Sequence, residues 1–205
     1  QVNIGVLGFG VVGSALCSII TKEHDHICKK YDIDLQIKKI YVRDKNKKRK
    51  IDVDVGLLTE NALDIINDSS IDVVCECIGG NGTNETANYV ISAIKNRKHI
   101  VMSSKKALAM NLDMIIRNVI KYGVKFKCDA TVGGGIPTHR IIDNILYVEK
   151  VTQITGIVNA TSNYICSQMQ GQCISFEDAL DKAKELGYAE NNPDEDILGY
   201  DAAYK

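Results

Sequence analysis

Apolar residues along this chain follow two alternating patterns. Short apolar runs predict β-strands, the first starting at Val2 and the others at Leu35–Val42, Ile71–Ile78, His99–Met102 and Val124–Cys128. Between them, apolar positions recur every three or four residues, which predicts helices at Val12–Lys22, Glu60–Asp68, Asn84–Ile94 and Asn111–Lys121. Strands that alternate with helices favour βαβ units, and therefore a parallel sheet with right-handed crossovers.

Two parts of the chain do not follow this alternation. His24–Asp34 is polar, and we expect it to be irregular. After about Asp129 the order of elements changes to a helix, a long β run and an acidic helical segment: Arg140–Leu146, Val148–Val158 and 176 to the end. The long β run has no crossover helix behind it. We therefore predict a first domain at 1–130 and a second at 131–205, of α+β type.

The first apolar run leads into a glycine loop that opens a helix. Gly8 permits a tight turn, Gly10 leaves room for a pyrophosphate, and Gly13 allows the helix to pack closely on the strand. The start of the helix directs N–H groups and a positive dipole end at the phosphates. The alternative is an ordinary tight turn, but the apolar patterns on both sides favour a dinucleotide-binding loop that includes Phe9, Val11 and Val12. This predicts a Rossmann-type doubly wound parallel sheet.

The end of the second predicted strand bears on the choice of cofactor. An acid at this position binds the ribose 2′-hydroxyl of NAD, whereas an arginine accepts the 2′-phosphate of NADP. Arg43 comes first, Asp44 follows, and residues 45–50 add positive charge, so NADP is favoured and NAD stays open. The alternative is that the basic run is a solvated loop. A second glycine loop follows the third strand and is expected to close over the cofactor: Gly79, Gly80 and Asn81.

Composition narrows the class of protein. The 205 residues carry a net charge of −1, which gives no indication of nucleic-acid or anionic-membrane binding. No apolar run approaches the ~18 residues that a membrane span requires, and no leader segment is visible, so we expect a cytoplasmic protein. The seven cysteines show no paired metal-binding spacing and are expected to be reduced and mostly buried.

Two further stretches carry candidate chemistry. Ser103 and Lys105 follow the fourth predicted strand, at the edge of the sheet where ligands bind. Asp201 and Lys205 are four residues apart on a predicted helix, so their side chains share one face. By spacing alone, the plain interpretation of this second pair is an ion pair worth about 0.3–0.5 kcal/mol.

The chain resembles the homoserine dehydrogenases. Besides the loop from Gly8 to Gly13 and Ile78-Gly79-Gly80, the matching blocks lie in the family's order: 103–107, Ala130–Pro137, Gly156–Ile165, and Gly187–Glu190 continuing through Asp196, Gly199, Asp201–Ala203 and Lys205. The last two blocks are specific to the family. The resemblance implies reversible NAD(P)-dependent reduction of L-aspartate 4-semialdehyde to L-homoserine, in the biosynthesis of threonine, methionine and isoleucine.

The resemblance also implies roles for individual residues. Lys205 matches the family's proposed proton donor, and Lys105 matches a second lysine near cofactor and substrate; the reverse division of roles stays open. Glu190, Asp196 and Asp201 match acids around the amino-acid substrate, and Gly187 with Glu190 matches positions that also touch the cofactor. The family's enzymes are implied to be homodimers that are joined through sheet in the second domain.

Some members of the family bind a monovalent cation such as sodium through backbone carbonyls. The matching positions here are Asp129, Val132, Gly134 and Ile136, and hard ions prefer such oxygen ligands. The chain departs from the family in having Asp129 where glutamate is usual and Ser104 where asparagine is common. It also stops at Lys205, where the family continues, so we expect the second domain to be incomplete.

Two other functions fit parts of the sequence. Another aldehyde or amino-acid dehydrogenase on the same fold would use the same glycine loop, but a cysteine-based enzyme needs an activated thiol beside a base. Cys128 and Cys166 have no such neighbours in the sequence. A dinucleotide-sensing module without catalysis would leave the two lysines and the acids near the end of the chain unexplained.

Overall fold

The computed structural model describes residues 1–49, 51, 53–79, 83–144, 148–190 and 192–205. Contacts between Cα atoms divide the chain into two compact units, Gln1–Thr131 and Val132–Lys205. Within the described ranges, every helix is too short or too polar to cross a bilayer.

The first unit is built on a six-stranded parallel sheet. Its strands in chain order are β1 (Val2–Leu7), β2 (Leu35–Tyr41), β3 (Leu58–Thr59), β4 (Val73–Glu76), β5 (His99–Met102) and β6 (Phe126–Lys127). Their order across the sheet is β3-β2-β1-β4-β5-β6, and every pair is parallel. The direction of winding reverses between β1 and β4, as in the Rossmann fold. The predicted α/β class and Rossmann-type sheet are confirmed.

The helices of the first unit are close to the predicted positions, with two exceptions. They are α1 (Val11–Lys22), α2 (His24–Tyr31), α3 (Leu63–Ile66), α4 (Thr83–Lys95) and α5 (Lys105–Tyr122). The expectation of an irregular segment at His24–Asp34 was wrong. The sequence of α2 is mostly polar and none of its residues is fully buried, which explains why the helix was not predicted; its C-cap, Asp32, is in the left-handed conformation. Helix α5 begins six residues earlier than predicted and is kinked at Asn111, where φ is −128°.

Apolar side chains cover both faces of the sheet. Neighbouring residues of a strand point to opposite sides, so Leu7 and Val74 join one cluster while Val6 and Cys75 join the other. The first cluster includes α4 and α5, and the second includes α1. Burial on both faces explains why the strands appear in the sequence as continuous apolar runs.

The regular elements of the second unit, within the residues that the structure describes, are all helices. Its helices are α6 (Thr138–Asn144), α7 (Ala160–Gln172), α8 (Phe176–Glu185), α9 (Asp194–Ile197) and α10 (Tyr200–Tyr204). The prediction of a β run at Val148–Val158 was wrong. These residues form no strand and are exposed, and the described part of this unit holds no strand that could pair with them. Helix α7 was not predicted, because its apolar residues are too few and too scattered to form a stripe.

Candidate active site

The loop between β1 and α1 has the geometry of a dinucleotide-binding turn. Gly8 has a φ of +101°, and a Cβ there would lie 2.6 Å from the carbonyl oxygen of Cys77. A Cβ on Gly13 would lie 2.0 Å from the carbonyl oxygen of Gly8. In contrast, a Cβ on Gly10 would meet no atom of the described part of the chain within 4 Å. Gly8 and Gly13 are therefore required by the fold itself, whereas at Gly10 the chain faces open space that a ligand could fill.

The start of α1 opens into the same space. Gly10 is its N-cap, and no side chain among the described residues caps the helix. Val11 and Val12 in the first turn are 89% and 53% exposed. An uncapped helix start presents backbone N–H groups and a positive dipole end, which together suit a phosphate. A cleft of about 600 Å³ begins at this turn and is lined there by Gly8, Phe9, Gly10 and Val11.

The far end of this cleft is basic. Arg43, Lys47, Lys48 and Arg49 line it. The Arg49 guanidinium holds the loop together by donating to the carbonyl oxygens of Asp44, Lys45 and Lys47 at 2.5, 3.0 and 2.8 Å. The Asp44 carboxylate accepts the N–H of Asn46 at 2.7 Å. The loop therefore gathers positive charge at the cleft while its acid takes part in a local turn.

Glu76, at the end of β4, is completely buried and joins two loops at the carboxyl edge of the sheet. Its carboxylate accepts the Ile78 N–H at 2.6 Å, the Ser104 N–H at 3.0 Å and the Ser104 hydroxyl at 2.7 Å. The Ser103 N–H adds a longer contact of 3.3 Å. Burial raises the pKa of Glu76, and these hydrogen bonds oppose the rise. The carboxylate fixes the residues that follow β4 relative to those that follow β5.

Three thiols lie behind the glycine loop. Burial raises the pKa of Cys17 to about 11 and the pKa values of Cys75 and Cys77 to about 12. These thiols stay protonated near neutral pH, so they do not supply a nucleophile. All seven cysteines are free, as expected, but Cys166 and Cys173 are exposed and only Cys17 and Cys75 are fully buried. The expectation of mostly buried thiols was therefore wrong, since the two cysteines of the second unit lie on helix surface.

In the second unit, four polar side chains from three segments form one cluster. The Asn159 amide donates to Asp196 Oδ1 at 2.7 Å and to Asp201 Oδ2 at 2.8 Å. Lys205 Nζ lies 2.7 Å from the same Asp201 oxygen and also donates to the Val158 carbonyl oxygen. The plain interpretation of the Asp201–Lys205 spacing, an ion pair, is therefore observed. We call these residues the Asn159 cluster: Asn159, Asp196, Asp201 and Lys205.

The Asn159 cluster is largely shielded from water. The side chains of Asp201 and Lys205 are 8% and 17% exposed, and Asn159 is buried. A charged pair at this depth keeps its geometry better than a surface pair, because fewer water molecules compete for its hydrogen bonds. The ammonium of Lys205 is thus held in a defined position by one carboxylate and one carbonyl oxygen.

Packing of α7 on α8 positions the segment around Gly187. The Thr161 hydroxyl donates to the Tyr188 carbonyl oxygen at 2.6 Å, and the Tyr164 and Tyr188 rings stack with centroids 4.7 Å apart. Gly187 has a φ of +77°, which the turn after α8 requires. Glu190 follows this turn and is exposed.

Both units are similar to known proteins. The family model for the NAD-binding domain of homoserine dehydrogenase matches residues 8–127, more than half of the chain. The homoserine dehydrogenase family model matches residues 137–205. The chain belongs to the homoserine dehydrogenase family. A nicotinamide dinucleotide is accordingly the class of cofactor that suits the first unit.

Individual homoserine dehydrogenases resemble the whole chain. The enzyme of Bacillus subtilis is 35% identical over 204 residues, which are 100% of this chain and 47% of that protein. A crystal structure from Thiobacillus denitrificans is 33% identical with a TM-score of 0.88 and covers 100% of this chain and 47% of that one. The fold is shared with a hyperthermophilic archaeal homoserine dehydrogenase in complex with NADPH. That structure is 23% identical with a TM-score of 0.82, and the match covers 100% of this chain and 67% of that one. The chain spans about half the length of the curated bacterial relatives that it matches.

The structure places the predicted site residues in several settings. Asp196, Asp201 and Lys205 come together, and Lys105 is the first residue of α5. Asp129 begins a short 3-10 turn in the first unit, whereas Val132, Gly134 and Ile136 belong to the second. Gly80 and Asn81 lie outside the described residues.

Two residues that organise these homoserine dehydrogenase elements were missed by the sequence analysis. Glu76 is an acid within a strand that is buried on both faces, and an acid in such a position was a usable signal. Asn159 is the N-cap of α7, where its side-chain oxygen accepts the Ser162 N–H at 2.7 Å. The sequence Asn159-Ala-Thr-Ser is a recognisable N-cap, but its contacts with two distant carboxylates could not be inferred from spacing.

Proposed function

We propose that the whole protein is an NADP-preferring homoserine dehydrogenase, which reversibly reduces L-aspartate 4-semialdehyde to L-homoserine. The observation that carries this proposal is the shielded Asp201–Lys205 pair within the Asn159 cluster. Family membership supplies the reaction class, and the cluster supplies a positioned proton source. We assign residues 1–130 to dinucleotide binding and 131–205 to substrate binding and dimerisation.

The first unit has the features that a dinucleotide needs. The open space at Gly10 and the uncapped start of α1 suit the pyrophosphate, and the cleft accommodates the adenosine side. In our proposal the contacts come from the two loops and the residues around them: Gly8, Phe9, Gly10, Val11, Val12, Gly13, Arg43, Gly79, Gly80, Asn81, Ser103, Lys105, Gly187 and Glu190. When bound, the nicotinamide supplies the hydride that reduces the aldehyde carbon.

Proton transfer is assigned to Lys205. As the aldehyde is reduced, negative charge develops on its oxygen, and a positioned acid lowers the barrier by donating a proton there. Asp201 and the Val158 carbonyl orient the Lys205 ammonium for this transfer. In the reverse direction Lys205 takes the proton from the homoserine hydroxyl. Glu190 and Asp196 bind the substrate ammonium together with Asp201, and Lys105 binds the substrate carboxylate.

The NADP preference rests on the charge of the cleft. Arg43 is exposed at its basic end, and Asp44, which also lines the cleft, has one carboxylate oxygen engaged by the Asn46 N–H. A 2′-phosphate gains from such a cluster, whereas a 2′-hydroxyl does not. The archaeal homoserine dehydrogenase in complex with NADPH has the same fold. The proposal also includes a sodium ion, bound by the backbone carbonyls of Asp129, Val132, Gly134 and Ile136, and a homodimer. The seven free thiols support a cytoplasmic location, which is the last part of the proposal.

The first experiment measures turnover of L-homoserine with NADP or NAD by the absorbance of the reduced cofactor. Lys205→Ala is expected to lower kcat by about 10²–10⁴-fold with little change in cofactor affinity. Lys182→Ala, an exposed lysine on α8, is the matched control and should behave as wild type. Cofactor binding without turnover by the wild type would indicate the dinucleotide-sensing module, and a fast Lys205→Ala variant would transfer the acid role to Lys105.

The second experiment tests the choice of cofactor. Arg43→Ala should raise the KM for NADP about tenfold or more and leave the KM for NAD nearly unchanged, because only NADP carries the extra phosphate. Lys45→Ala changes the same loop at a residue that does not line the cleft and serves as control. Equal loss with both cofactors in Arg43→Ala would contradict the assignment.

A further inference from the structure

A second group of ligating side chains lies on the first unit, at the junction of α2 with β2. His24 is the first residue of α2, and Cys28 is one turn later on the same face. Asp34 follows the left-handed residue Asp32 and directly precedes β2. The turn at Asp32 therefore brings the carboxylate back to the two side chains of the helix.

The atoms of this group have the separations expected of metal ligands. His24 Nε2 is 2.9 Å from Asp34 Oδ1 and 3.6 Å from Cys28 Sγ, and the three ligand atoms lie within 4.8 Å of one another. In a tetrahedral zinc site with bonds of ~2.0–2.3 Å, neighbouring ligand atoms are about 3.3–3.6 Å apart. An ion needs only a small outward movement of Asp34 to be accommodated.

The surroundings of the three side chains also fit a metal site. Asp25 Oδ1 is 3.4 Å from His24 Nδ1, so the ring nitrogen that is farther from Cys28 Sγ, at 4.0 Å against 3.6 Å, has a carboxylate partner. Such a carboxylate–histidine contact orients ligating imidazoles in metal sites. Gln36 Nε2 donates to Asp34 Oδ1 at 2.6 Å and fixes the third ligand.

Access to the group is open. His24 and Gln36 line a cavity of about 530 Å³ beside α1 and β2. Asp54 also lines this cavity. The side chains of His24 and Asp34 are 36% and 40% exposed. An ion can therefore reach the ligands from solvent, and a water molecule can occupy the fourth coordination position.

We propose that His24, Cys28 and Asp34 form a site for Zn²⁺. One imidazole, one thiolate and one carboxylate make a ligand set typical of zinc, whereas Ca²⁺ and Mg²⁺ prefer oxygen ligands alone. On binding, the Cys28 thiol releases its proton to solvent and the neutral imidazole donates its Nε2 lone pair, with no change of oxidation state. The ion cross-links α2 to the start of β2. This site is independent of the proposed dehydrogenase reaction.

The test uses a Cys166→Ser/Cys173→Ser background, which removes the two exposed thiols. After treatment with chelator, the protein is titrated with Zn²⁺ by calorimetry, and with Co²⁺ to follow the thiolate-to-cobalt charge-transfer band. One ion per chain and a clear charge-transfer band are expected. Absence of the band, or of a stoichiometric site, would overturn the proposal.

Near-isosteric variants locate the site. Cys28→Ser should abolish the charge-transfer band, and His24→Gln should weaken Zn²⁺ binding at least tenfold. Thermal unfolding supplies a second readout, since Zn²⁺ should raise the Tm of the background protein but not that of Cys28→Ser. His26→Gln lies on the same helix outside the group and is the matched control. Unchanged binding in Cys28→Ser, or equal loss in His26→Gln, would place the ion elsewhere.

Discussion

The two units hold their candidate chemistry in different ways. In the first, a backbone turn from Gly8 to Gly13 shapes the ligand space within six consecutive residues. In the second, side chains separated by 42 residues, Asn159 and Asp201, are joined by a hydrogen bond, and Lys205 completes the cluster. A site that the backbone forms is encoded by a contiguous motif, whereas a network of side chains exists only after distant segments have packed together. The glycine loop could therefore be found by sequence alone, and the Asn159 cluster could not.

The largest effect is expected where the first unit itself depends on a side chain. Glu76→Ala leaves the N–H groups of Ile78 and Ser104 without their buried acceptor, and each such loss costs about 1–3 kcal/mol. We expect the free energy of unfolding of the first unit to fall by about 3 kcal/mol or more in urea titrations followed by circular dichroism. Asp113→Ala, which removes an exposed carboxylate on α5, should change it by about 0.5 kcal/mol or less. A mild Glu76→Ala variant would show that backbone alone holds these loops.

The second unit should respond to loss of its central amide. Asn159→Ala removes the N-cap of α7 and a donor to two carboxylates, so we expect a loss of about 2–3 kcal/mol in thermal or urea unfolding. Ser175→Ala removes the cap of α8 alone, at an exposed site, and should cost about 1 kcal/mol. Equal losses in the two variants would mean that the Asn159 cluster adds nothing beyond a helix cap.

Substitutions at the glycines can separate fold from ligand. Gly13→Ala places a Cβ against the Gly8 carbonyl and should destabilise the protein by about 1–3 kcal/mol. Gly10→Ala meets open space and should leave the Tm nearly unchanged, yet weaken NADP binding at least tenfold in fluorescence titration of the reduced cofactor. If Gly10→Ala binds the cofactor normally, the open space at Gly10 is not the pyrophosphate site.

The smallest effect is a pH-dependent one on the first unit, measured in the presence of chelator. Hydrogen bonds to Asp34 and then to Asp25 raise the pKa of His24 above 6.5, and the bond to His24 lowers the pKa of Asp34 below 3.8. The His24 contribution to stability is full below pH 6.5 and is lost as the pH rises through the raised pKa. The Asp34 contribution is present above pH 3.8 and is lost as the pH falls through the lowered pKa.

Proton NMR titration checks this pH dependence. Asp34→Asn should return the pKa of His24 toward 6.5, whereas Asp25→Asn should shift it less, because its hydrogen bond is the weaker cause. The resonance that disappears in His24→Gln is assigned to His24. A His24 titration that is unaffected by Asp34→Asn would contradict the paired geometry.

The elements that could be predicted from the sequence are those that are buried and depend on local contacts. The parallel sheet was predicted because its strands are buried on both faces and separated by glycine turns, as at Gly8. Helix α2 was not predicted because it is mostly polar and none of its residues is fully buried. The prediction for Val148–Val158 was wrong because β-branched composition does not create a partner strand. Asp201 on α10 and Lys205 directly after it were identified by resemblance to a family, and Asn159 was found only through its long-range contacts.

Glu76 has a consequence for anyone who wishes to redesign the cofactor pocket. The Glu76 carboxylate binds the backbone of both Ile78 and Ser104. The positions of residues 77–79 and of residues 103–105 are therefore coupled. A mutation that moves one of these loops is expected to move the other. Libraries that vary the two loops separately will therefore contain mostly pairs of loops that do not fit each other. Varying both loops together, with Glu76 kept constant, is the productive route to altered nicotinamide specificity.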